Sequence, residues 1–442
     1  MLTENFTDCN ESPFEMNGYT LVAGLTVFAL LATHLLGQDS KSQETKNRNP
    51  ILNTKVFWKA TAVAKVDNEV VDAYKVLSFP ATIKDINGEW LLLGKAWIER
   101  SQIMNLDQAF DYYVEQVQRN PTSARAWSHR AACWREKGEV NNAIKDYDEA
   151  IRLDPKDSVA YRRRGRARID LKDYENAIKD YDESIRLDPM RPDTYVSRGL
   201  AKYEIKDLRG AIRDYDEAIR LEPTSHAYYL RGSGKFNLND LEGAIVEYDE
   251  AIRLNPNFAS AFNDRGYAKY ELKNIEGAIR DYNEAIRLDP RFALAYRNRG
   301  LAKVDLKDVK GAIVDYDEAI RLDPSEAEYN NRGTVKSILD DFQGAIRDYD
   351  QAIRLNRRFA LAYRNRGLAK YNLKDVEGAV RDLDEAIRLN PNDGTSYRYR
   401  GIAKECLKDY KGAIEDFGEA LREDPNDEQA RKYKSLLLNR DR

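Results

Sequence analysis

A mainly α-helical solenoid of stacked helix pairs, preceded by a small β module and an apolar N-terminal segment, is the fold class that these 442 residues predict. A phrase close to GAIRDYDEAIRLDP returns nine times through residues 122–425, each copy preceded by an NRGLAK-like phrase. The closing prolines (Pro121, Pro155, Pro189, Pro223, Pro256, Pro290, Pro324, Pro391, Pro425) fall 34 residues apart, with 33-residue steps at the fourth and seventh copies and Arg357 replacing one of them. Within a copy the apolar residues recur at threes and fours, the spacing of an amphipathic helix. A period of this length means units that pack only on their neighbours, so function is expected on the surface and not in a central pocket.

From the N-terminus, residues 1–37 read as a signal peptide or membrane anchor. Tyr19 to Leu36 is an apolar run long enough for a short span or a signal core. Glu4, Asp8, Glu11 and Glu15 precede it without a basic residue, while Lys41, Lys46 and Arg48 follow it. Export or outward anchoring, an inward-facing anchor that keeps the repeats cytoplasmic, and a buried core helix all stay open. Residues 38–50 are polar and aperiodic, a linker.

Residues 51–103 alternate as strands do: Val56, Trp58 and Ala60, then a run from Val63 to Val71 broken by Pro80, then Asn87-Gly88 ahead of Trp90. Gly88-Glu89-Trp90 followed by Ala96-Trp97-Ile98 resembles the last strands of a bacterial SH3-like barrel. That resemblance implies contact with peptides or cell-wall glycan, although Ala96 stands where such domains usually carry glycine; Trp58, Trp90 and Trp97 also suit a plain barrel core. Leu106 to Gln118 reads as a helix within a capping segment, 106–121, with Ala109, Phe110, Tyr113 and Val117 facing the first repeat.

Each copy reads as two helices. In the fifth, Phe262, Gly266 and Tyr270 form one stripe and Ala278, Ile279, Tyr282, Ala285 and Ile286 another, with Asn274 as a helix-start signal between them and Pro290 as a stop. Glycine recurs at 165, 199, 232, 266, 300, 333, 367 and 401, inside a helix where it costs about 1 kcal/mol relative to alanine, so close helix packing is expected there. An aromatic residue opens every first helix, from Trp127 to Tyr397, the small residue follows four later, and the second helix brings alanine, an aromatic or leucine, a small residue and the closing proline. In this the chain resembles the tetratricopeptide repeat family. The resemblance implies a right-handed superhelix of antiparallel helix pairs whose inner face binds extended peptides or partner helices. Residues 426–442, with Ala430, Tyr433, Leu436 and Leu437 on one face, read as the C-terminal capping helix.

Composition narrows the function. Charged residues make up 33% of the chain, but 71 basic and 75 acidic residues nearly cancel, leaving no field suited to nucleic acid and pointing to a protein or peptide partner. Cys9, Cys133 and Cys406 are too few and too scattered for a disulfide framework or a zinc site. His34, His129 and His226 are the only histidines, and there is no phosphate loop, nucleophile elbow or metal-ligand spacing, so the chain reads as non-enzymatic and without a cofactor. Arginine precedes the small residue in all nine copies, and each second helix supplies an acid at a fixed point, which predicts an internal ion-pair ladder. The cluster Arg162 to Arg168 spreads around its helix among Asp170, Asp173 and Glu175, a solvated or internally paired face.

The family resemblance places the ligand face at the first, fifth and eighth residues after the opening aromatic. Candidates there are Arg162, Arg166, Leu200, Tyr203, Tyr229, Phe236, Asn263, Tyr267, Tyr270, Arg297, Leu301, Arg364, Leu368, Tyr371 and Arg398. Apolar and aromatic residues interleaved with arginines suit an extended peptide with apolar anchors and acidic groups. The lysine-and-asparagine clamp of some family members is not matched. Two functions follow: an interaction scaffold at the cell envelope, or a wall-binding protein whose SH3-like segment holds the ligand while the repeats extend it.

Overall fold

The structure, a computed structural model, describes residues 55–59, 63–66, 69–72, 81–87, 90–93 and 96–440. The apolar run 19–36 and the linker 38–50 lie outside them. No helix among the described residues is long and apolar enough to cross a membrane. The chain divides into two compact units between Leu254 and Asn255.

The first unit opens with seven strands: β1 (Lys55–Trp58), β2 (Val63–Val66), β3 (Glu69–Asp72), β4 (Ala81–Asn87), β5 (Trp90–Leu93), β6 (Ala96–Glu99) and β7 (Ile103–Met104). Their order is β3-β2-β6-β5-β4-β1-β7, antiparallel throughout. The single run expected from Val63 to Val71 is two strands, paired with Val66 opposite Glu69. The expected turn at Asn87-Gly88 is matched by the pairing of Asn87 with Trp90.

The sheet is not an isolated bead. Val56, Phe57 and Trp58 share one apolar core with Leu91, Leu93 and Ile98, with Ala109 and Tyr113 of helix α1 (Leu106–Arg119), and with Ala132 and Cys133 of α2 (Ala124–Glu136). Tyr113 donates its hydroxyl hydrogen to the Trp58 carbonyl at 2.5 Å. Asn105 caps α1 in a reciprocal capping box with Gln108. Trp58 is therefore a core residue that locks the β module to the first repeat.

Repeats one to four, residues 124–254, complete this unit; repeats five to nine, residues 259–423, and the capping helix Glu428–Arg440 form the other. In every repeat a first helix of 13 residues precedes a second of 14. Three local devices generate the pair. The chain leaves the first helix through a left-handed residue, Gly138 in repeat one and a non-glycine in the other eight, for example Lys307 at φ 62°. This lets backbone bonds such as Asp308 N–H to the Lys303 carbonyl close the helix end. In repeats three to nine an aspartate or asparagine then caps the second helix by accepting from the glycine N–H three residues on, as Asn274 does from Gly277 at 3.0 Å. Finally, the first-helix glycine lets the second-helix ring come close: a β-carbon on Gly199 would lie 2.5 Å from the Tyr215 ring. Tyr147, Tyr181, Tyr215, Tyr248, Tyr282, Tyr316 and Tyr349 are all buried, each worth about 2–3 kcal/mol in apolar surface removed from water.

At the C-terminus Ala430 and Leu437 are buried and Tyr433 stacks on Phe417. Leu436, expected on the same face, is 50% exposed, because it sits one residue off the stripe that 430, 433 and 437 define.

Candidate functional site

The ion-pair ladder is present in all nine repeats and is internal. Arg130, Arg164, Arg198, Arg231, Arg265, Arg299, Arg332, Arg366 and Arg400 each meet an acid of their own second helix at 2.5–2.7 Å. From Arg164 onward the same acid takes a second cation, as Asp315 takes Lys303 at 2.8 Å. The guanidinium lies over the opening aromatic at 4.6–5.6 Å, which explains why ring and arginine travel together three residues apart. Its remaining nitrogen commonly reaches the preceding repeat, as Arg400 reaches Asp384 at 2.6 Å. These arginines are committed to holding the fold.

The arginines assigned to an acidic ligand are also committed. Arg162 pairs with Asp193 at 3.1 Å, Arg297 with Glu328 at 3.0 Å, Arg364 with Asp393 at 3.1 Å and Arg398 with Asp427 at 3.1 Å. In the first three cases the acid lies at the start of the next repeat's first helix and in the fourth at the start of the capping helix, and Arg297 and Arg364 are buried. The cluster at 162–168 is paired in the same way: Arg163 donates to Ser128, and Arg164 and Arg168 both bind Asp180. Only Arg166 of that group stands exposed.

The aromatic candidates divide. Tyr203, Tyr229, Tyr270 and Tyr371 are buried, as are Asn263, Leu301 and Leu368. The eighth-position tyrosines bond to the next repeat: Tyr203 accepts from Asn237 at 2.7 Å, Tyr270 donates to Asp305 at 2.6 Å, and Tyr371 meets Cys406 Sγ at 3.2 Å. Buried asparagines add a second set of bonds between repeats, Asn298 to Asn263 at 3.1 Å and Asn365 to Asn330 at 3.0 Å. Leu200, Phe236 and Tyr267 are half-buried and offer a ring or apolar surface to a partner. Tyr267 stacks on Tyr270 with ring centres 6.4 Å apart, and burial followed by the nearby Glu271 carboxylate pushes its hydroxyl up to about 12. Sequence reasoning missed the carboxylates one position further on, Glu271 and Asp305, both exposed.

Cys133 and Cys406 are free thiols, and no group of residues suited to a metal ion occurs among the described residues. Profiles of the tetratricopeptide repeat match residues 124–157, 293–326 and 360–393, and a further TPR-repeat profile matches 165–206, 232–273 and 266–307. The chain is a tetratricopeptide-repeat protein. Its tetratricopeptide repeats are similar to those of several solved structures. The APC/C hetero-tetramer Cut9-Hcn1 is 17% identical with a TM-score of 0.47, over 71% of this chain and 76% of that one. A tetratricopeptide repeat protein from Parabacteroides merdae is 19% identical at 0.45, over 56% and 99%. Yeast Tom70 is 16% identical at 0.40, over 76% and 92%. No curated protein matches the sequence.

Proposed function

We propose that this chain is a non-catalytic scaffold that holds a peptide or partner protein along the first helices of its tetratricopeptide repeats. The observation that carries the reading is a division of labour. Residues constant from repeat to repeat are consumed inside the fold, in the ladder, the caps and the ring-on-glycine packing. Residues that vary at the fifth and eighth positions after the aromatic include Arg166, Leu200, Phe236 and Tyr267, which remain reachable. Variation on an accessible face over an invariant frame is how a repeat protein carries a specific partner. The apolar run at residues 19–36 would hold this scaffold at a membrane, and protease protection of the repeats in fractionated cells tests that placement.

Replacing Leu200 and Phe236 by alanine in the one unit, or Tyr267 in the other, is expected to weaken capture of the partner in a pull-down while helix content is unchanged. Lys310→Glu, an exposed change on a second helix, should leave capture intact. Capture that survives the alanine changes would overturn the proposal.

A further inference from the structure

The charge expected of the ligand face reverses once its arginines are placed. In repeats five to seven, the first, fifth, eighth and ninth positions after the aromatic hold Asn263, Tyr267, Tyr270, Glu271, Arg297, Leu301, Val304, Asp305, Asn330, Thr334, Ser337 and Ile338. Arg297 is the one cation among them and is bound to Glu328. The lysines of the same first helices are turned away, Lys269 to Asp281 and Lys303 to Asp315. What faces outward is carboxylate and phenol: Glu271 and Asp305 beside the stacked rings of Tyr267 and Tyr270.

A second observation lies beneath this cluster. In repeats four and seven the buried second-helix tyrosine sends its hydroxyl to the fifth-position side chain, Tyr248 to Ser233 and Tyr349 to Thr334, both at 3.4 Å. The equivalent residues under Tyr267 and Leu301 are Tyr282 and Tyr316. Both are fully buried, and neither hydroxyl has a hydrogen-bond partner among the described residues. Two unmatched phenol oxygens therefore lie under this patch, just as those of Tyr181 and Tyr215 are unmatched in repeats two and three, although an unmatched buried polar group is costly to the fold. The Tyr270 ring already attracts a cation, Lys273 Nζ standing 5.8 Å from its centre.

We infer that the first-helix face of repeats five and six takes the basic side chain of an extended partner peptide, a lysine or arginine seated between the tyrosine rings and the carboxylates of Glu271 and Asp305. The inference rests on the reading of that face as the partner-binding one. Carboxylates supply the charge, and ring faces supply the cation–π attraction that acidic residues alone do not.

Three extended peptides, alternating leucine with lysine, glutamine or glutamate, are titrated against the full chain by fluorescence anisotropy. The lysine peptide should bind at least about tenfold tighter than the glutamine peptide, the glutamate peptide most weakly, and the preference should shrink as salt is raised. Glu271→Gln with Asp305→Asn should bring the lysine peptide down to the glutamine value with the circular dichroism unaltered. A glutamate peptide that binds as well as the lysine one, or a lysine preference that survives the double substitution, overturns the charge assignment. Equal binding of all three that Tyr267→Ala removes sinks the assignment and leaves the groove standing. Failure of every peptide to bind removes both.

Discussion

Lys307 spends a lysine where glycine would be unstrained. At φ 62° its β-carbon crowds the backbone, a cost shared by seven other repeats. Lys307→Gly should raise stability by about 0.5–1 kcal/mol, and Lys307→Val should lower it by more than that, both read as midpoint shifts in urea. Tyr316 makes the opposite point: its buried hydroxyl is unmatched, and Phe417 fills the same position in repeat nine without one. Tyr316→Phe should leave stability unchanged or raise it by about 1 kcal/mol. His129 is fully buried against Tyr113 and Trp58. Burial first, then the charges of Arg163 and Arg125, hold its imidazole neutral well below the ordinary histidine range. A base whose pKa is depressed by folding takes up its proton preferentially when unfolded. Its contribution is therefore fully present above about pH 6.5 and is lost as the pH falls toward the depressed folded value. His129→Gln should flatten the pH dependence of unfolding in that window.

Among the helices, Asp315 is the clearest hinge of stability. It is 1% exposed and holds both Arg299 and Lys303, so Asp315→Ala leaves two cations around a void and should cost about 3–5 kcal/mol. The ladder, the helix pairs and the caps were legible in the sequence because each closes over a short, constant spacing that nine copies repeat. The partners of Arg162, Arg297, Arg364 and Arg398 were not, since Asp193, Glu328 and Asp393 sit in the next repeat, and Asp427 at the capping helix, at offsets that differ between copies. A partial signal did exist: each of the four arginines that follow an opening aromatic precedes a helix with an acid at its start, although repeat one, with Ser128 at that place, is also followed by such an acid, Asp157. The same holds for Tyr203, Tyr270 and Tyr371, which read as ligand anchors because an apolar stripe does not reveal whether its far side meets solvent or a neighbouring helix. The docking of Trp58 on Tyr113 and Cys133 was beyond reach, as it joins segments with unrelated periods.

Over the whole molecule, stability should be regional. Ala278 is fully buried in a core shared with Tyr270, Tyr282, Leu301 and Ala302 of repeats five and six. Ala278→Glu places an uncompensated charge there, and amide hydrogen exchange should accelerate across 259–322 while 394–440 stays protected. Acceleration spread evenly over 259–440 would mean that this half melts as one cooperative block. In the other half, the β module shares the core of the first repeat, so removing residues 51–103 should expose Tyr113 and Cys133 and loosen α1 and α2. That loss, seen as faster exchange in 106–136, would distinguish an integral cap from a tethered domain.

The ladder also bears on how such a chain can change length. Every ladder arginine finds its acid within its own repeat, and Arg164, Arg198, Arg231, Arg299, Arg332, Arg366 and Arg400 also reach back to a residue that the previous repeat supplies at the same place. Excising residues 360–393 would bring Arg400 to Asp350 in place of Asp384 and leave its bond to Asp416 untouched. Whole copies can thus be inserted or lost without orphaning this charge, so reach is adjustable in units of one repeat, whereas a cut at any other period would strand an ion in the interior.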